Sequence, residues 1–248
     1  MTSISYWVES AVAHLRMDRA EKKNALTMAM YTAMAGHLEA VNGATDVRAV
    51  IIAGAPGVFS AGNDIQDFIQ AASAGELGEP VLRFLRALVN CEKPLIAAVD
   101  GAAVGVGTTM LLHCDYVVAS ERAVFSTPFV DLGLVPEAGS SLIGPRRFGP
   151  ALAFEFFALG RRWDAAKALS TGLINEVVAA ENVDQRAGAV AAEIAAKPPN
   201  AMAISKRLLG SGKAEILQRI DEEAGHFKAC LQGPEAMQAF AAFMTRKK

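Results

Sequence analysis

The sequence reads FSAGNDI at Phe59–Ile65 and DGAAVGVGTTMLLHCD at Asp100–Asp115. Each stretch follows a predicted buried strand and leads into a predicted helix. Gly62 supplies a backbone conformation that other residues rarely adopt, and the N–H groups at the start of a helix have no partner within it. The backbone N–H groups of Asn63 and Val106 are therefore candidate donors to a bound anion or a developing oxyanion.

Neither stretch carries a nucleotide-binding pattern. Gly101–Gly107 does not match G-x-G-x-x-G, and neither stretch contains the Gly-Lys-Ser/Thr of a phosphate-binding loop. Taken alone, either turn is equally well explained as a tight strand-to-helix connection in which glycine serves close packing. The presence of two such turns favours a paired donor site for an oxyanion.

The residues before and between these stretches predict an α/β fold. Two β-rich runs, Ile4–Val8 and Ala11–Met17, predict an opening hairpin. Thr27 predicts the N-cap of a helix that ends near Val41. Periodicity and composition predict three further strands and a helix: Val47–Ala53, Leu95–Val99 and Tyr116–Ala119 as strands, and Pro80–Cys91 as a helix.

The second half of the sequence is predicted to be mainly helical. From about Leu142 onwards alanine-rich helical periodicity dominates, apart from a short strand-like run at Leu173–Val178. The sequence Lys197-Pro198-Pro199 predicts a break before the last three helical stretches, because proline interrupts a helix.

Composition excludes several classes of function. The 248 residues are 52% hydrophobic and carry a formal net charge of −2, which is typical of a globular protein and gives no reason to expect nucleic-acid binding. Three widely spaced cysteines predict no disulfide framework. The N-terminus lacks a signal-peptide pattern, and Asp100 and three glycines interrupt the most apolar segment, Pro94–Leu112. We therefore expect a cytoplasmic protein without a membrane segment.

A third stretch, FSTPFVDLGLVPEAGSS at Phe125–Ser141, completes a recognisable set. In order and spacing the three stretches resemble the signature blocks of the crotonase (enoyl-CoA hydratase/isomerase) superfamily, and the similarity extends to KPPNAMAISKRLL near the C-terminus. The resemblance implies an α/β spiral of ββα units over residues 1–195, followed by a helical trimerisation region over residues 196–248. It also implies a homotrimer, or a hexamer made of two trimers, that binds an acyl-CoA thioester.

The same resemblance identifies a candidate catalytic acid. Family hydratases use two glutamates, and the matching positions here hold Thr109 and Phe129, neither of which can act as a carboxylate base. The remaining acid, Glu137 in PEAGSS, resembles the single base of peroxisomal-type Δ3,Δ2-enoyl-CoA isomerases. Without the resemblance, Glu137 is equally an acid favoured in the first turn of a helix, and Asp131 is a rival acid in the same stretch.

The resemblance also implies where substrate binds. The thioester carbonyl is expected between the N–H groups of Asn63 and Val106, and Asp64 is expected to cap the helix behind the first turn. The other residues implied in binding the acyl-CoA are Lys22, Lys23, Ala25, Ala61, Gly62, Asp64, Ile65, Gly105, Phe129 and Phe227. Phe227 resembles an aromatic residue that reaches the adenine pocket of a neighbouring subunit, and Arg246, Lys247 and Lys248 are further basic candidates.

No separate cofactor is expected, because coenzyme A is part of the substrate. The four histidines lie too far apart in the sequence for a local metal motif, so no metal is expected either. His113 and Cys114 are neighbours at a helix end that point apart, and Cys114 is interpreted as a buried structural thiol.

Two alternatives to the isomerase stay open at this stage. The first is another enzyme of the same superfamily, either an enoyl-CoA hydratase or an acyl-CoA isomerase of other specificity. The second is a catalytically silent acyl-CoA-binding protein, since loss of both hydratase glutamates is also what decay of the chemistry would produce. The position of Glu137 relative to the two glycine turns discriminates the isomerase from the silent binding protein, because only the isomerase requires a carboxylate within reach of both C2 and C4.

Overall fold

Strands and helices alternate through the first half of the chain in the computed structural model, which describes residues 3–67, 78–210 and 212–245. The described strands are β1 (Ile4–Glu9), β2 (Val12–Met17), β3 (Ala49–Ala53), β4 (Val58–Ser60), β5 (Leu95–Val99), β6 (Ala102–Val104), β7 (Tyr116–Ser120), β8 (Val124–Ser126), β9 (Trp163–Asp164) and β10 (Glu176–Val178).

The strands form two sheets. One has six strands in the order β1-β2-β3-β5-β7-β10, and the other has four in the order β4-β6-β8-β9. Pairing is parallel except for β1 with β2 and β8 with β9. From β3 to β8, consecutive strands alternate between the two sheets, so β3, β5 and β7 of the larger sheet are each followed by a short strand of the smaller one.

Close approach of the backbone explains a glycine at one of these crossings. Gly101 joins β5 to β6 with a φ of +76°, and a Cβ atom there would lie 2.1 Å from the carbonyl oxygen of Gly57. Only a residue without a side chain fits, so this glycine fixes how the second sheet sits against the first.

The described helices are α1 (Met28–Gly43), α2 (Glu79–Asn90), α3 (Val106–Thr109), α4 (Ser140–Phe148), α5 (Pro150–Ala153), α6 (Ala165–Ser170), α7 (Val183–Ala195), α8 (Pro199–Leu209), α9 (Lys213–Leu231) and α10 (Pro234–Thr245). A π-helical turn at Phe154–Ala158 follows α5. No helix among the described residues is both long and apolar enough to cross a membrane.

Helices cover both faces of the six-stranded sheet. The outer face packs against α7 through Val183, Ala187 and Val190, and the inner face contributes to the main core together with α1 and α2. All five residues of β3 and all five of β5 are consequently buried. This arrangement explains why both strands are continuous apolar runs and not alternating ones.

Most of the predicted elements are confirmed. The hairpin, the Thr27 cap, α2, β5 and the three helices after Pro198 lie where expected, and the Thr27 hydroxyl accepts a hydrogen bond from the amide of Met30 at 3.3 Å. The architecture, α/β with a helical C-terminal region, also matches the prediction.

The four-stranded sheet was not predicted. Its strands are two or three residues long, too short to show an alternating pattern. The segment interpreted as a glycine-rich turn therefore contains a strand, β6, before α3 begins. The start of β3 was also wrong by two residues, because Val47 and Arg48 precede the paired part of the sheet.

Candidate active site

The first glycine turn is held against the loop that precedes α1. The amide of Ala61 donates to the carbonyl of Lys23 at 2.9 Å, and the amide of Leu26 donates to the carbonyl of Gly62 at 2.8 Å. Asn24 is fully buried beneath them, and its side-chain amide donates to the carbonyl oxygens of Val58 and Phe59. These hydrogen bonds therefore hold the glycine turn in place against the loop.

Asp64 stabilises the other end of this turn, as predicted. Its carboxylate accepts from the amides of Gln66 and Asp67 at 3.1 and 3.2 Å, which makes it a helix cap. Arg19 pairs with the same carboxylate at 2.7 Å and also donates to the carbonyl of Ala25. The ion pair therefore ties the loop before α1 to the glycine turn.

The second glycine turn is pressed directly against the first. A Cβ atom at Gly62 would lie 2.9 Å from the carbonyl oxygen of Val104, and one at Gly107 would lie 2.9 Å from the Cβ of Ser60. Gly62 has a φ of +86°, in the left-handed region. The contact between the two turns brings the residue after Gly62 next to the residues that open α3.

The two amides predicted as oxyanion donors lie on these adjoining turns. Val106 is the first residue of α3, where the helix itself offers its N–H no acceptor. Among the described residues, neither the amide of Asn63 nor that of Val106 donates to a backbone carbonyl. Each N–H group therefore lacks a backbone acceptor in the part of the chain that the structure describes, although Val106 is buried and does not itself line the cavity beside Asn63. The Asn63 side chain is itself held, because the buried Tyr31 hydroxyl donates to its Oδ1 atom.

Glu137 enters the site on a strained turn. Ala138 and Gly139 follow it with φ values of +65° and +70°, and the left-handed region costs a non-glycine residue roughly 1–2 kcal/mol. The amide of Ser140 donates to the carbonyl of Glu137 at 3.1 Å. His113 Nε2 donates to the carbonyl of Ala138 at 2.8 Å. These contacts stabilise a conformation that the sequence alone does not favour.

The Glu137 carboxyl is buried, and within the described part of the chain one of its oxygens has a hydrogen-bond partner. Glu137 is 8% exposed. Thr109 donates a hydrogen bond to Oε1, whereas Oε2 has no partner among the described residues. Burial raises the pKa of Glu137 to about 8, against the hydrogen bond from Thr109, which lowers it, and with a smaller contribution from the nearby Glu223. A raised pKa and an unpaired oxygen are typical of a proton-transfer group.

Burial of this carboxyl predicts a pH-dependent effect on stability. Because the folded pKa is about 8 and the ordinary value is 4.5, the folded state keeps a proton that the unfolded chain loses as pH rises from about 4.5 to 8. Glu137→Gln, which does not titrate, is therefore expected to be more stable than wild type at pH 9, by up to a few kcal/mol. This difference in the free energy of unfolding should become smaller as the pH falls towards 5.

Urea unfolding at pH 5.5 and pH 9 measures this effect. Glu222→Gln is the control. The Glu222 side chain is 56% exposed, so its carboxylate loses little hydration on folding, and removal of its charge should have little pH-dependent effect on stability. If the free energies of unfolding of Glu137→Gln and wild type differed by the same amount at both pH values, burial would not disfavour the ionised Glu137 carboxyl.

A cavity of about 290 Å³ opens beside Glu137. Its walls are mainly apolar residues of α2 and α9, together with Asn63, Glu137 and Lys228: Asn63, Gly78, Val81, Leu82, Leu85, Glu137, Ala138, Ile220, Ala224, Gly225, Phe227 and Lys228. An apolar cavity with a few polar groups is typical of a small-molecule site. Glu137 and the Asn63 turn therefore share one cavity.

The remaining predicted binding residues lie at different distances from this cavity. Lys22 and Lys23 are exposed on the loop beside the first turn. Ala61, Ile65 and Gly105 are half-buried around the two turns. Phe129 is buried in the core and is not among the residues that line the cavity. Arg246, Lys247 and Lys248 lie outside the described residues.

The interpretation of Phe227 needs correction. It was expected to reach the adenine pocket of a neighbouring subunit, but its side chain is 9% exposed and belongs to the core of its own chain. It lines the same cavity as Glu137. α9 packs against α2, and the ring lies in the core of its own chain.

Several residues of the site were not predicted from the sequence. Thr109 was noted in the sequence only as a position where family hydratases hold a glutamate. Its hydroxyl donates a hydrogen bond to the carboxyl of Glu137. The apolar wall contributed by α2 was missed, although the strong amphipathicity of that segment was a usable signal. Asp131, the rival acid, is exposed and its carboxylate lies beside Gly160. Cys114 is buried, as expected.

Comparison with known proteins gives consistent results. The family model described as "Enoyl-CoA hydratase/isomerase" matches residues 8–248. The chain is 35% identical over 246 residues to "Enoyl-CoA delta isomerase 2" from Rattus norvegicus, covering 96% of this chain but 62% of the rat protein. It is 30% identical to a "Probable enoyl-CoA hydratase" from Rhizobium meliloti (strain 1021), covering 97% and 94% of the two chains.

The fold also matches a solved structure closely. A crystal structure of an enoyl-CoA hydratase/isomerase from Pseudoalteromonas atlantica T6c superposes with a TM-score of 0.94 at 39% sequence identity, over 99% of this chain and 98% of the other. The match extends over the full length of both chains, so the sheets, the two glycine turns and the C-terminal helices are all part of a shared architecture.

Proposed function

The chain belongs to the enoyl-CoA hydratase/isomerase family, and we propose that it is a Δ3,Δ2-enoyl-CoA isomerase in which Glu137 is the single catalytic base. One observation carries the proposal. The carboxyl of Glu137 is buried at the wall of an apolar cavity, with one oxygen held by Thr109 and the other without a partner among the residues that the structure describes. A silent binding module has no physical reason to keep such a carboxyl, because an unsatisfied buried acid destabilises the fold.

The proposed reaction moves one proton and one double bond. Glu137 Oε2 removes a proton from C2 of a 3-enoyl-CoA, and the electrons of that C–H bond form a dienolate whose charge rests on the thioester oxygen. The N–H groups of Asn63 and Val106 stabilise this oxygen. The protonated carboxyl then gives the proton to C4, and the double bond becomes C2=C3. No water or second base takes part.

The family relationship alone does not decide between isomerisation and hydration, because relatives carry both names. What supports isomerisation is the set of acids at the site. Thr109 and Phe129 occupy the positions where family hydratases are expected to hold glutamates, and Phe129 is buried in the core. Addition of water needs a second group to orient it, and neither side chain can supply a carboxylate.

The proposal is tested by incubating wild type with trans-3-hexenoyl-CoA and, separately, with crotonyl-CoA. Formation of the conjugated 2-enoyl thioester is followed by its ultraviolet absorbance, and hydration is followed by loss of that absorbance. We expect isomerisation of the first substrate and negligible hydration of the second. Hydration of crotonyl-CoA without isomerisation would identify a hydratase, and turnover of neither would favour another acyl-CoA substrate or a binding role.

Thr109→Val is expected to move the pH dependence of the reaction. The base must be ionised, so kcat/KM should rise with pH up to the pKa of Glu137, about 8, and then level off. The hydrogen bond from Thr109 lowers that pKa, so its removal should shift the rise upward by about 1–2 pH units, the effect of one hydrogen bond to a charged group. Activity at pH 7 should then fall about tenfold or more.

A matched control is available one residue earlier. Thr108 is also buried, but its hydroxyl donates to the carbonyl of Ala103 at 2.6 Å and not to Glu137. Thr108→Val should lower stability by about 1–3 kcal/mol without moving the pH profile. A profile that moved equally in both variants would mean that the shift reports a general disturbance of α3.

Assembly and location are also proposals. Helix α8 exposes Ile204, Leu208 and Leu209, and the last two are 70% and 87% exposed to solvent. This supports the proposal of a homotrimer or a hexamer of two trimers, because apolar side chains in such a cluster are typical of an interface. Three free cysteines support a reducing, cytoplasmic location.

A further inference from the structure

A second buried carboxylate lies behind the catalytic turn. Glu223 projects from α9, is 5% exposed, and accepts hydrogen bonds from the amides of Gly139 at 2.6 Å and Ser141 at 2.9 Å. These amides open α4, where the N-cap position is Gly139, a residue with no side chain to cap the helix. A residue 84 positions away along the chain therefore supplies the cap.

The position of this cap connects it to the proposed base. Glu137 lies two residues before Gly139, and the intervening Ala138 is held in the left-handed region. His113 donates a hydrogen bond to the carbonyl of Ala138, and Glu223 accepts one from the amide of Gly139; these two groups belong to the same peptide unit. The direction in which Glu137 enters the cavity therefore depends on a strained turn whose central peptide group is held by both of its polar atoms.

The neighbours of Glu223 also determine its electrostatic effect. On its own helix, Arg219 pairs with Glu222 at 3.1 Å and donates to the Ser141 hydroxyl. On the facing helix α2, Arg86 is paired with Asp221 at 2.7 Å. The His113 imidazole is neutral at pH 7, because burial lowers its pKa to about 4.

Burial raises the pKa of Glu223, while the hydrogen bonds from Ser141 and Gly139 and the charge of Arg219 lower it. In its ionised form this carboxylate in turn raises the pKa of Glu137. Glu223 thus affects Glu137 both through the backbone and through its charge.

We propose that Glu223 is a positioning residue for the isomerisation: by capping α4 it holds the Ala138–Gly139 turn so that the free oxygen of Glu137 faces the substrate. The inference rests on the proposed function of Glu137. It assigns to α9 a direct part in the geometry of the catalytic base, in addition to its apolar contribution to the cavity wall.

The test compares Glu223→Gln with Glu222→Gln, the same substitution at the adjacent exposed position of α9. Glutamine at 223 can accept one of the two backbone hydrogen bonds, but its NH₂ group cannot accept the other. At pH 9, on the plateau of the pH profile, we expect kcat of Glu223→Gln to fall about tenfold or more with KM changed less than about threefold. Its kcat/KM profile should also move to lower pH, and Glu222→Gln should match wild type.

A purely structural role makes different predictions. It would lower the melting temperature and the folded fraction, which circular dichroism measures, but folded Glu223→Gln would retain wild-type kcat and an unmoved pH profile, and that result would overturn the proposal. Glu223→Asp serves if the glutamine variant does not fold. It keeps the charge on a shorter side chain, so kcat should fall while the profile stays in place, and unchanged kcat in this variant would also contradict the proposal.

An activity-free measurement separates this inference from the proposed function. The carboxyl of Glu137 is titrated by ¹³C NMR in glutamate-labelled wild type, Glu223→Gln and Glu222→Gln. If wild type does not isomerise 3-hexenoyl-CoA, the proposed function fails. A Glu137 titration moved to lower pH by Glu223→Gln alone would still support the coupling, and an unmoved titration would overturn it as well.

Discussion

Glu137→Gln is expected to lower kcat for isomerisation of trans-3-hexenoyl-CoA by about 10²–10⁴-fold, the usual contribution of general acid–base catalysis. The amide is nearly isosteric and its oxygen can still accept the hydrogen bond that Thr109 donates to Oε1. It cannot remove a proton from C2. KM should change little, because the cavity walls on α2 and α9 remain intact. Initial rates at pH 9 and binding of a non-reactive acyl-CoA measure the two effects separately.

Asp131→Asn is the matched control for this prediction. Asp131 lies in the same stretch of sequence, six residues earlier, but it is exposed and its carboxylate lies beside Gly160. The variant should retain wild-type kcat. If Asp131→Asn lost activity while Glu137→Gln kept it, the rival acid would be the base and the proposed mechanism would be wrong.

Gly62→Ala is expected to lower kcat by about 10²–10³-fold, the cost of losing one oxyanion donor. The added Cβ would lie 2.9 Å from the carbonyl oxygen of Val104, a backbone atom that cannot move independently. The two glycine turns must therefore separate, and the amides of Asn63 and Val106 must move apart. The loss should appear mainly in kcat, because these amides stabilise the dienolate more strongly than the thioester carbonyl.

Gly172→Ala separates this effect from backbone strain. Gly172 has a φ of +76°, close to the +86° of Gly62, but a Cβ there would meet nothing within 4 Å. It should therefore lose about 1–2 kcal/mol of stability from the left-handed conformation and keep its kcat. Equal loss of kcat in both variants would indicate a global effect of strain and not the spacing of the two amides.

Much of the fold could be predicted because its signals are local. Strand β5 is a continuous apolar run between Lys93-Pro94 and Asp100-Gly101, and Thr27 has the side chain and the position of an N-cap, so both were predicted correctly. The strands of the second sheet are two or three residues long and owe their pairing to contacts distant in sequence. No periodicity within so short a run can reveal them.

The same distinction between local and distant signals applies to the candidate site. The local sequence indicated the two glycine turns, and resemblance to a family identified Glu137 as the candidate base; each of these signals lies within a short stretch of sequence. Thr109 and Glu223 were missed, because each acts on Glu137 or its turn from 28 and 84 residues away. Phe227 was misassigned, because the direction of its side chain depends on how α9 packs and not on the identity of the residue.

The central claim is that one carboxyl both removes and returns the proton. The most direct measurement uses 3-hexenoyl-CoA with both hydrogens at C2 replaced by deuterium, converted in a single turnover in ordinary water and analysed by mass spectrometry and NMR. Because Glu137 is buried, we expect deuterium at C4 of the product well above the solvent background. A conjugated product with no deuterium at C4 would contradict the account, since it would require a second proton donor or a water molecule in the step that Glu137 is proposed to perform.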